Sequence, residues 1–324
     1  MLRRLLLPTL LFLLLVGDYA GEGRRPILGK DRRVEAIAVP LDPADPARRK
    51  LGRLVFLEGW ELRGKDSAFG SFSAMAVEGR DFDLLSDVGG FVHLRLGPKG
   101  QVSGVRFADL EGPGAGWMKR DRDSEAMTHD PASGRVWITY ERHNAIWRYT
   151  PDLRAEAQAR PALMQHWPNN GGAEAMVRLR SGRFLVFSER GQGRKGAPAA
   201  LAFDRDPTDT AARVFTFYHK PPKGYRVTDA AELPDGNLLL LYRHVALPAS
   251  FTAKLAMIAR SAIRPDAIVR AREIATLDGS ISVDNMEALA VGEEHGKTIL
   301  WIASDDNFTP LLQRTLLLKF RLEP

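Results

Sequence analysis

The sequence predicts an all-β protein, a β-propeller with five or six blades. The first observation is a short recurring unit. In its clearest copies an acidic residue precedes a small apolar run, and about 15 residues later a β-rich strand ends in a second acidic residue. Successive units begin at Ser73, Glu125, Glu174, Asp229 and Glu287. A period near 50 residues with several strands per unit is typical of propellers, in which each unit forms one blade.

The second observation is the turn-forming residues between the predicted strands. Turn-forming stretches at residues 130–134, 180–182 and 234–237 each come just before a strongly apolar strand, as hairpin turns do. Helical periodicity is weak, and only residues 155–160 and 251–260 could each hold a helical turn or two. The alternation of strands and turns therefore favours a single all-β domain.

The units differ in how clearly they keep the pattern. The three clear copies pair residues 172–176 with 183–190, 123–127 with 136–142, and 284–289 with 300–307. Two degenerate copies pair residues 73–76 with 84–87 and 229–232 with 238–243. Residues 245–283, where the spacing is longest, leave room for a sixth blade. The final strand, residues 315–322, is expected to close the ring by pairing with an N-terminal strand near residues 53–62.

The N-terminus predicts export. Arg3 and Arg4 precede an apolar stretch over residues 5–16, which is too short to span a bilayer easily. We interpret residues 1–20 as a signal peptide, with an uncleaved anchor as the alternative, and expect a periplasmic or secreted protein. Residues 21–50 are polar and rich in proline, which predicts a linker or N-terminal extension before a propeller domain over residues 51–324.

The amino-acid composition limits the kinds of partner and bound metal that are expected. The net charge is +6, but the basic residues are scattered, so nucleic-acid binding is not expected. The chain has no cysteine, which excludes disulfides, thiolate metal sites and lipidation of a signal cysteine. We expect a monomer with no stable membrane span after signal cleavage.

Acidic residues recur at equivalent places in the units and should converge on the central channel. These residues are Asp87, Glu125, Glu141, Glu174, Glu189, Asp229, Glu287 and Asp305. Several like charges within a few ångströms raise one another's pKa values or require a cation. A hard cation with oxygen ligands, Ca²⁺ above all, is the simplest answer. The alternative is that each acid caps its own blade or pairs with the arginine that follows it.

Familiar sequence motifs do not explain the chain. Residues 191–196 match the GxGxxG pattern, but no helix follows to bind a pyrophosphate. Residues 292–298 end in Gly-Lys-Thr, yet they are one residue short of a P-loop and lead into a strand. The sequence contains no GxSxG motif and no histidine pair with metal-ligand spacing.

The ordered motifs at residues 69–73, 85–87, 123–126, 140–142, 170–175, 188–190, 225–229, 285–289 and 304–308 resemble one family. That family is the bacterial phytase-like propellers, described as having the esterase-like activity of phytase. The resemblance covers about residues 50–322. It implies an exported propeller that hydrolyses phosphoric or carboxylic esters. Two positions depart from the family pattern: Ser73 and Ala74 stand where Ser-Gly is more frequent, and Tyr242 and Arg243 stand where Glu-Arg is usual.

Together these observations predict a metal-assisted hydrolase of small anionic esters. Four residues are the predicted Ca²⁺ ligands, namely Glu125, Glu174, Glu287 and Asp305. Glu141 or Glu189 is predicted to orient the attacking water, and Arg142 and Arg190 to hold the substrate. The main alternative is a non-catalytic envelope binding or scaffold propeller with a structural ion. A lactonase-type propeller that prefers carboxylic esters is a further alternative.

Overall fold

A computed structural model describes residues 23–191, 193–246 and 250–324 of the chain. These residues form five β-sheets, each a blade of one propeller. The predicted signal segment, residues 1–20, lies outside the described residues. Within the described ranges, no helix is long and apolar enough to cross a membrane.

The blades follow the chain in order, and each begins with the strand nearest the axis. Three strands come first, β1 (Val34–Ala38), β2 (Lys50–Leu51) and β3 (Leu54–Gly64). Blade 1 contains β4 (Phe72–Glu78), β5 (Asp81–Ser86), β6 (Gly90–Leu96) and β7 (Val102–Asp109). Blade 2 contains β8 (Ser124–His129), β9 (Val136–Tyr140), β10 (Ala145–Tyr149) and β11 (Ala155–Ala159).

The next two blades complete the middle of the ring. Blade 3 contains β12 (Ala173–Arg178), β13 (Phe184–Ser188), β14 (Ala199–Phe203) and β15 (Val214–Lys220), and β19 (Ile268–Arg270) pairs with β15 in parallel. Blade 4 contains β16 (Arg226–Glu232), β17 (Leu238–Ala246), β18 (Ser250–Ile258) and β20 (Arg272–Leu277). No sixth blade forms in the described part of residues 245–283, because these residues complete blade 4 and extend blade 3.

Blade 5 closes the ring as predicted. It contains β21 (Asn285–Glu294), β22 (Lys297–Asp305) and β23 (Thr315–Leu322), and β23 pairs with the N-terminal β3. The order β21, β22, β23, β3, β1 therefore joins the two ends of the chain in one sheet. This pairing removes the open edges that an unclosed ring would expose.

Three segments differ from the sequence prediction. The range predicted as a linker, residues 21–50, contains β1, which pairs with β3 from Val34 opposite Gly64 to Ala38 opposite Trp60. Residues 155–160 and 251–260, predicted as helical turns, fall mainly in strands β11 and β18. β11 pairs with β10, and β18 pairs with β17 and β20, and such cross-strand pairing overrides weak local propensity.

The hydrophobic core lies between neighbouring blades. Within the described residues, five clusters of buried side chains each bridge one pair of adjacent sheets. Between blades 5 and 1, for example, the rings of Phe82 and Trp301 meet edge to face with centroids 4.8 Å apart. These contacts hold the five innermost strands, β4, β8, β12, β16 and β21, at fixed positions around the channel.

Candidate functional site

Each innermost strand carries a bulge near its start. In every blade the register against the second strand shifts there, because two residues of the inner strand oppose one residue of its neighbour. Such a bulge bends the strand and re-aims one side chain. The residues at the five shifts are Ser73, Glu174, Thr228, Glu287 and, in blade 2, where the shift also includes Ala126, Glu125. We call them the inner ring.

In blade 4 the inner-ring residue is Thr228, one position before the acid that the sequence repeat indicated. The register passes from Val227 opposite Tyr242 directly to Asp229 opposite Leu241. Asp229 is buried away from the ring, and its carboxylate accepts hydrogen bonds from the backbone N–H groups of Leu289 and Ala230, both at 2.7 Å. A shift of one residue turns a side chain to the other face of the sheet, so Asp229 belongs to the interface between blades 4 and 5.

A second set of residues, the outer ring, comes directly after the second strand in blades 1, 2 and 3, and its members in blades 4 and 5 lie within the second strand. Its members are Asp87, Glu141, Glu189, Arg243 and, at the last residue of β22, Asp305. The four carboxylates are buried, and Arg243 is half-buried. The guanidinium of Arg243 forms an ion pair with Glu287 of the inner ring and donates to the Asn285 side chain at 2.7 Å. Blade 4 thus contributes a cation where the other blades contribute acids.

Three carboxylates from blade 2 converge at one point. Oxygen atoms of Asp123, Glu125 and Glu141 all lie within 4.8 Å of one another. The Oε1 atom of Glu141 accepts hydrogen bonds from the backbone N–H groups of Gly171 and Gly172, the latter at 2.8 Å. Asp123 is paired with Arg142, whose Nε atom lies 3.1 Å from Oδ2. We call these three carboxylates the blade-2 cluster.

Burial and mutual repulsion disfavour ionisation in this cluster. Burial, followed by the charge of Glu141, raises the pKa of Asp123 to about 7. Burial and then the charges of Asp123 and Glu141 raise the pKa of Glu125 well above its usual value. Burial is also the first cause of the raised pKa of Glu174, followed by the charges of the nearby Glu141 and Glu125. Neighbouring carboxyl groups do not ionise together easily, so protonation of one of them is favoured.

The remaining acids have dedicated partners. The carboxylate of Glu189 contacts Arg190 at 2.9 Å and Arg226 at 3.1 Å. Asp305 accepts a hydrogen bond from the backbone N–H of Asn307 at 2.6 Å and another from the Asn285 side chain at 3.3 Å. Burial raises the pKa of Asp305 well above its usual value, with the charge of Asp87 as the next cause.

The comparisons with known proteins agree with the arrangement of these motifs. The family model for phytase-like proteins, described as "esterase-like activity of phytase", matches residues 67–308 of the 324. The chain belongs to the phytase-like family. A search of curated protein sequences found no match.

Solved structures similar to this phytase-like chain share little sequence with it. An α-L-arabinanase mutant from Cellvibrio cellulosa is 12% identical with a TM-score of 0.47, and the alignment covers 77% of this chain and 90% of that one. A luciferin-regenerating enzyme is 11% identical with a TM-score of 0.45, covering 89% and 98%. Kuenenia stuttgartiensis hydrazine synthase is 8% identical with a TM-score of 0.38, covering 72% of this chain and little more than half, 56%, of that one. At these values the alignments carry no information about activity.

The structure distributes the predicted site residues of this phytase-like chain over two sides of the ring. Glu125 and Glu141 lie together in the blade-2 cluster, and Glu174 is next to Glu141. Glu287 is paired with Arg243, and Glu189 with Arg190, so they do not join that cluster. Arg142 contacts Asp123 rather than facing the channel unpaired.

Sequence reasoning missed Asp123 as a site residue, although it precedes Glu125 in the repeated unit. It also missed Lys119, whose ammonium lies 2.6 Å from Asp87. Lys119 belongs to the connection between blades 1 and 2 and not to a repeat, so no periodic signal marks it. Only the folded chain brings it back over the ring.

The residues of the blade-2 cluster fit a hard divalent cation. Three carboxylate oxygens within 4.8 Å of one another can share one ion, and burial together with mutual repulsion raises the pKa values of Asp123 and Glu125. Oxygen-only donors of this kind suit Ca²⁺, Mg²⁺ or Mn²⁺ better than softer metals.

Proposed function

We propose that this protein is an exported ester hydrolase that uses a divalent cation, with Ca²⁺ the first candidate, at the blade-2 cluster. The observation that carries the proposal is the convergence of Asp123, Glu125 and Glu141 within 4.8 Å. Membership in the phytase-like family supports a hydrolytic activity on phosphoric or carboxylic esters. The charged and apolar N-terminal residues 1–20 support export.

A cation bound there would supply an electrophile for the phosphoryl or carbonyl oxygen and would stabilise its developing negative charge. Asp123, Glu125 and Glu141 would hold it. The N–H groups of Gly171 and Gly172 fix one oxygen of Glu141, which leaves the other oxygen to face the cluster. This pre-organisation costs no rearrangement during the reaction.

Glu174 is the best placed group for moving protons. Its carboxyl group lies near that of Glu141, and burial raises its pKa well above its usual value. As an anion it would accept a proton from the attacking water, and as an acid it would return that proton to the leaving oxygen. Glu189, paired with Arg190 and Arg226, is instead proposed to anchor those arginines near the mouth.

Arg142 and Arg190 would bind an anionic substrate. Each uses its Nε atom for a carboxylate, at 3.1 Å to Asp123 and 2.9 Å to Glu189. We propose that the terminal nitrogens of both guanidinium groups bind the phosphate or carboxylate of the substrate. Arginine suits this role because its paired donors match the geometry of such anions.

The first test is metal content of the purified protein, followed by assays with phosphate and carboxylic esters in Ca²⁺ and in EDTA. We expect a bound divalent ion and a turnover that EDTA removes and Ca²⁺ restores. Glu125→Gln should lower both cation affinity and turnover at least tenfold, because it removes one charged ligand. Glu293→Gln is the matched control, because Glu293 lies exposed at the far end of β21.

A non-catalytic propeller is the second candidate, and the pairing of the outer ring favours it. Asp87 is bound by Lys119, Glu189 by two arginines, and Asp305 by backbone and amide groups. In that case the carboxylates fix the blades, and Ca²⁺ raises the melting temperature without any esterase activity. A clear preference for carboxylic over phosphate esters would point instead to a lactonase-type propeller.

A further inference from the structure

One lysine brings a positive charge of the protein itself into the ring. The connection between β7 and β8 contains a 3₁₀ turn, Lys119–Asp121, from which Lys119 extends its side chain. Its Nζ atom lies 2.6 Å from Oδ2 of Asp87, and 29% of the lysine side chain is exposed against 9% of the aspartate. This is the cation nearest Asp87 in the described part of the chain.

The same ammonium group interacts with acids from three blades. The charges of Asp87, Asp123 and Asp305 all raise the pKa of Lys119, with Asp87 the largest cause. These acids come from blade 1, from the start of blade 2 and from blade 5. A single +1 charge therefore partly neutralises three carboxylates that would otherwise repel one another.

Asp87 keeps one oxygen without a partner. Its carboxylate is buried at 6% exposure, Oδ2 is bound by Lys119, and Oδ1 has no hydrogen-bond partner. Buried carboxylate oxygens are normally satisfied, and an unsatisfied one costs on the order of 1–3 kcal/mol. An oxygen in this position would complete its bonding with a cation that carries more charge and more open coordination positions than an ammonium group.

The backbone holds Lys119 in place. Its N–H donates to Gly23 O at 3.0 Å, and the neighbouring Met118 forms a β-bridge with Arg24. Arg25 secures the same segment, because its Nε atom donates to Gly116 O at 2.6 Å and its backbone N–H donates to Trp117 O at 3.1 Å. The ammonium group is therefore a fixed part of the ring rather than the end of a mobile surface side chain.

We propose that Lys119 occupies a second cation site, formed by Asp87 and Asp305 beside Asp123, and that its ammonium group replaces a hard divalent cation there. The inference rests on the proposed function, in that both assign cation binding to the ring carboxylates. Here, however, the ligand oxygens are Asp87 and Asp305 rather than Glu125 and Glu141. Lys119 thus limits the number of divalent ions that the ring can hold.

The test is Ca²⁺ stoichiometry, measured by calorimetry and by metal analysis, for wild type and Lys119→Ala. Alanine removes the ammonium group and leaves space for an ion. We expect one more equivalent of Ca²⁺ per chain in Lys119→Ala than in wild type, and no extra equivalent in Lys119→Arg. Replacing Asp87 with Asn in the Lys119→Ala protein should remove the added equivalent.

Lys254→Ala is the matched control, because Lys254 is also half-buried and paired, 2.5 Å from Glu273, but outside the ring. Unchanged stoichiometry in a folded Lys119→Ala protein would overturn the inference, even if affinity rose through the loss of a positive charge. If wild type binds no Ca²⁺ and Lys119→Ala binds one equivalent, the inference stands and the proposed function fails. If wild type binds one equivalent and Lys119→Ala also binds one, the inference fails and the cation site of the proposed function stands.

Discussion

At the scale of single residues, Arg243 makes the distribution of charge around the ring uneven. It takes the outer-ring position of blade 4 and forms an ion pair with Glu287. The opposite side retains more acids than bases, with Asp87, Asp123, Glu125 and Glu141 against Lys119 and Arg142. Excess negative charge is therefore concentrated at blades 1 and 2, and that is where a cation gains the most.

Asp229 gives a stability prediction that is independent of the ring. Its buried carboxylate accepts the N–H groups of Leu289 and Ala230, so it joins blades 4 and 5. Asp229→Ala should leave both donors unsatisfied and lower the free energy of unfolding by on the order of 2 kcal/mol. Chemical denaturation measures this loss. The exposed Asp235, which bonds only within its own turn, is the control, and its alanine variant should change stability by less than about 0.5 kcal/mol. Equal losses would contradict the assignment.

The same residue shows where sequence reasoning ends. The repeat located the acidic stretch of blade 4 but could not choose between Thr228 and Asp229 as the residue in the ring. The choice depends on the bulge, which is a property of pairing between two strands. The sequence likewise indicated Tyr242, and not Arg243, as the residue in place of an acid. The pairing of Val227 with Tyr242 and of Arg226 with Arg243 shows that Arg243 takes that position.

At the scale of elements, the loop before β12 connects blade 3 to the blade-2 cluster. Gly171 has a φ of 95° and donates its N–H to Glu141. A Cβ atom there would lie 2.7 Å from Cγ of Arg190 and 2.8 Å from Oε2 of Glu189. The glycine therefore lets the backbone approach two acids of the ring, which a larger residue could not do.

Gly171→Ala should consequently affect both stability and cation binding. We expect a loss of about 1 kcal/mol from the positive φ, a further loss from the contacts with Arg190 and Glu189, and weaker Ca²⁺ affinity through displacement of Glu141. Gly182→Ala is the control, because Gly182 has a φ of 83° but nothing lies within 4 Å of its added Cβ. Denaturation and Ca²⁺ titration of the two variants separate the effects. Identical behaviour would show that the loop does not support the site.

Elements with a strong periodic signal were predictable, and those defined by distant pairing were not. The closing strand, Thr315–Leu322, matches the sequence prediction in both bounds. Val34–Ala38 was not recognised as part of the propeller, because its sheet partner begins sixteen positions later and its alternation is short. The cluster of Asp123 with Glu141 likewise depends on how β8 and β9 are paired.

At the scale of the whole molecule, ring closure and ring charge are coupled. The carboxylates come from blades 1, 2, 3 and 5, so they approach one another only when β3 pairs with β23 and the circle is complete. Their repulsion opposes closure, and protons or cations that neutralise them favour it. Folding of the metal-free protein should therefore take up protons at the ring.

Glu287 makes this coupling measurable through pH. Burial raises its pKa to about 7 from 4.5, although Arg243 acts in the opposite direction. A carboxyl whose pKa is raised by folding binds more protons in the native than in the unfolded state. Its contribution to stability is therefore lost as pH rises between about 4.5 and about 7 and stays constant above that range.

We therefore expect the melting temperature of wild type in EDTA to fall, relative to that of Glu287→Gln, as pH rises from about 5 to about 7. The comparison with Glu287→Gln is needed because burial also lowers the pKa of His219 to about 4. This shift makes the stability of both proteins rise with pH up to about 6.5, and the effect cancels when their melting temperatures are subtracted. Thermal melts of the two proteins at several pH values measure it. A difference that does not change between pH 5 and 7 would mean that Glu287 is ionised throughout and that Arg243, not a proton, compensates its charge as the ring closes.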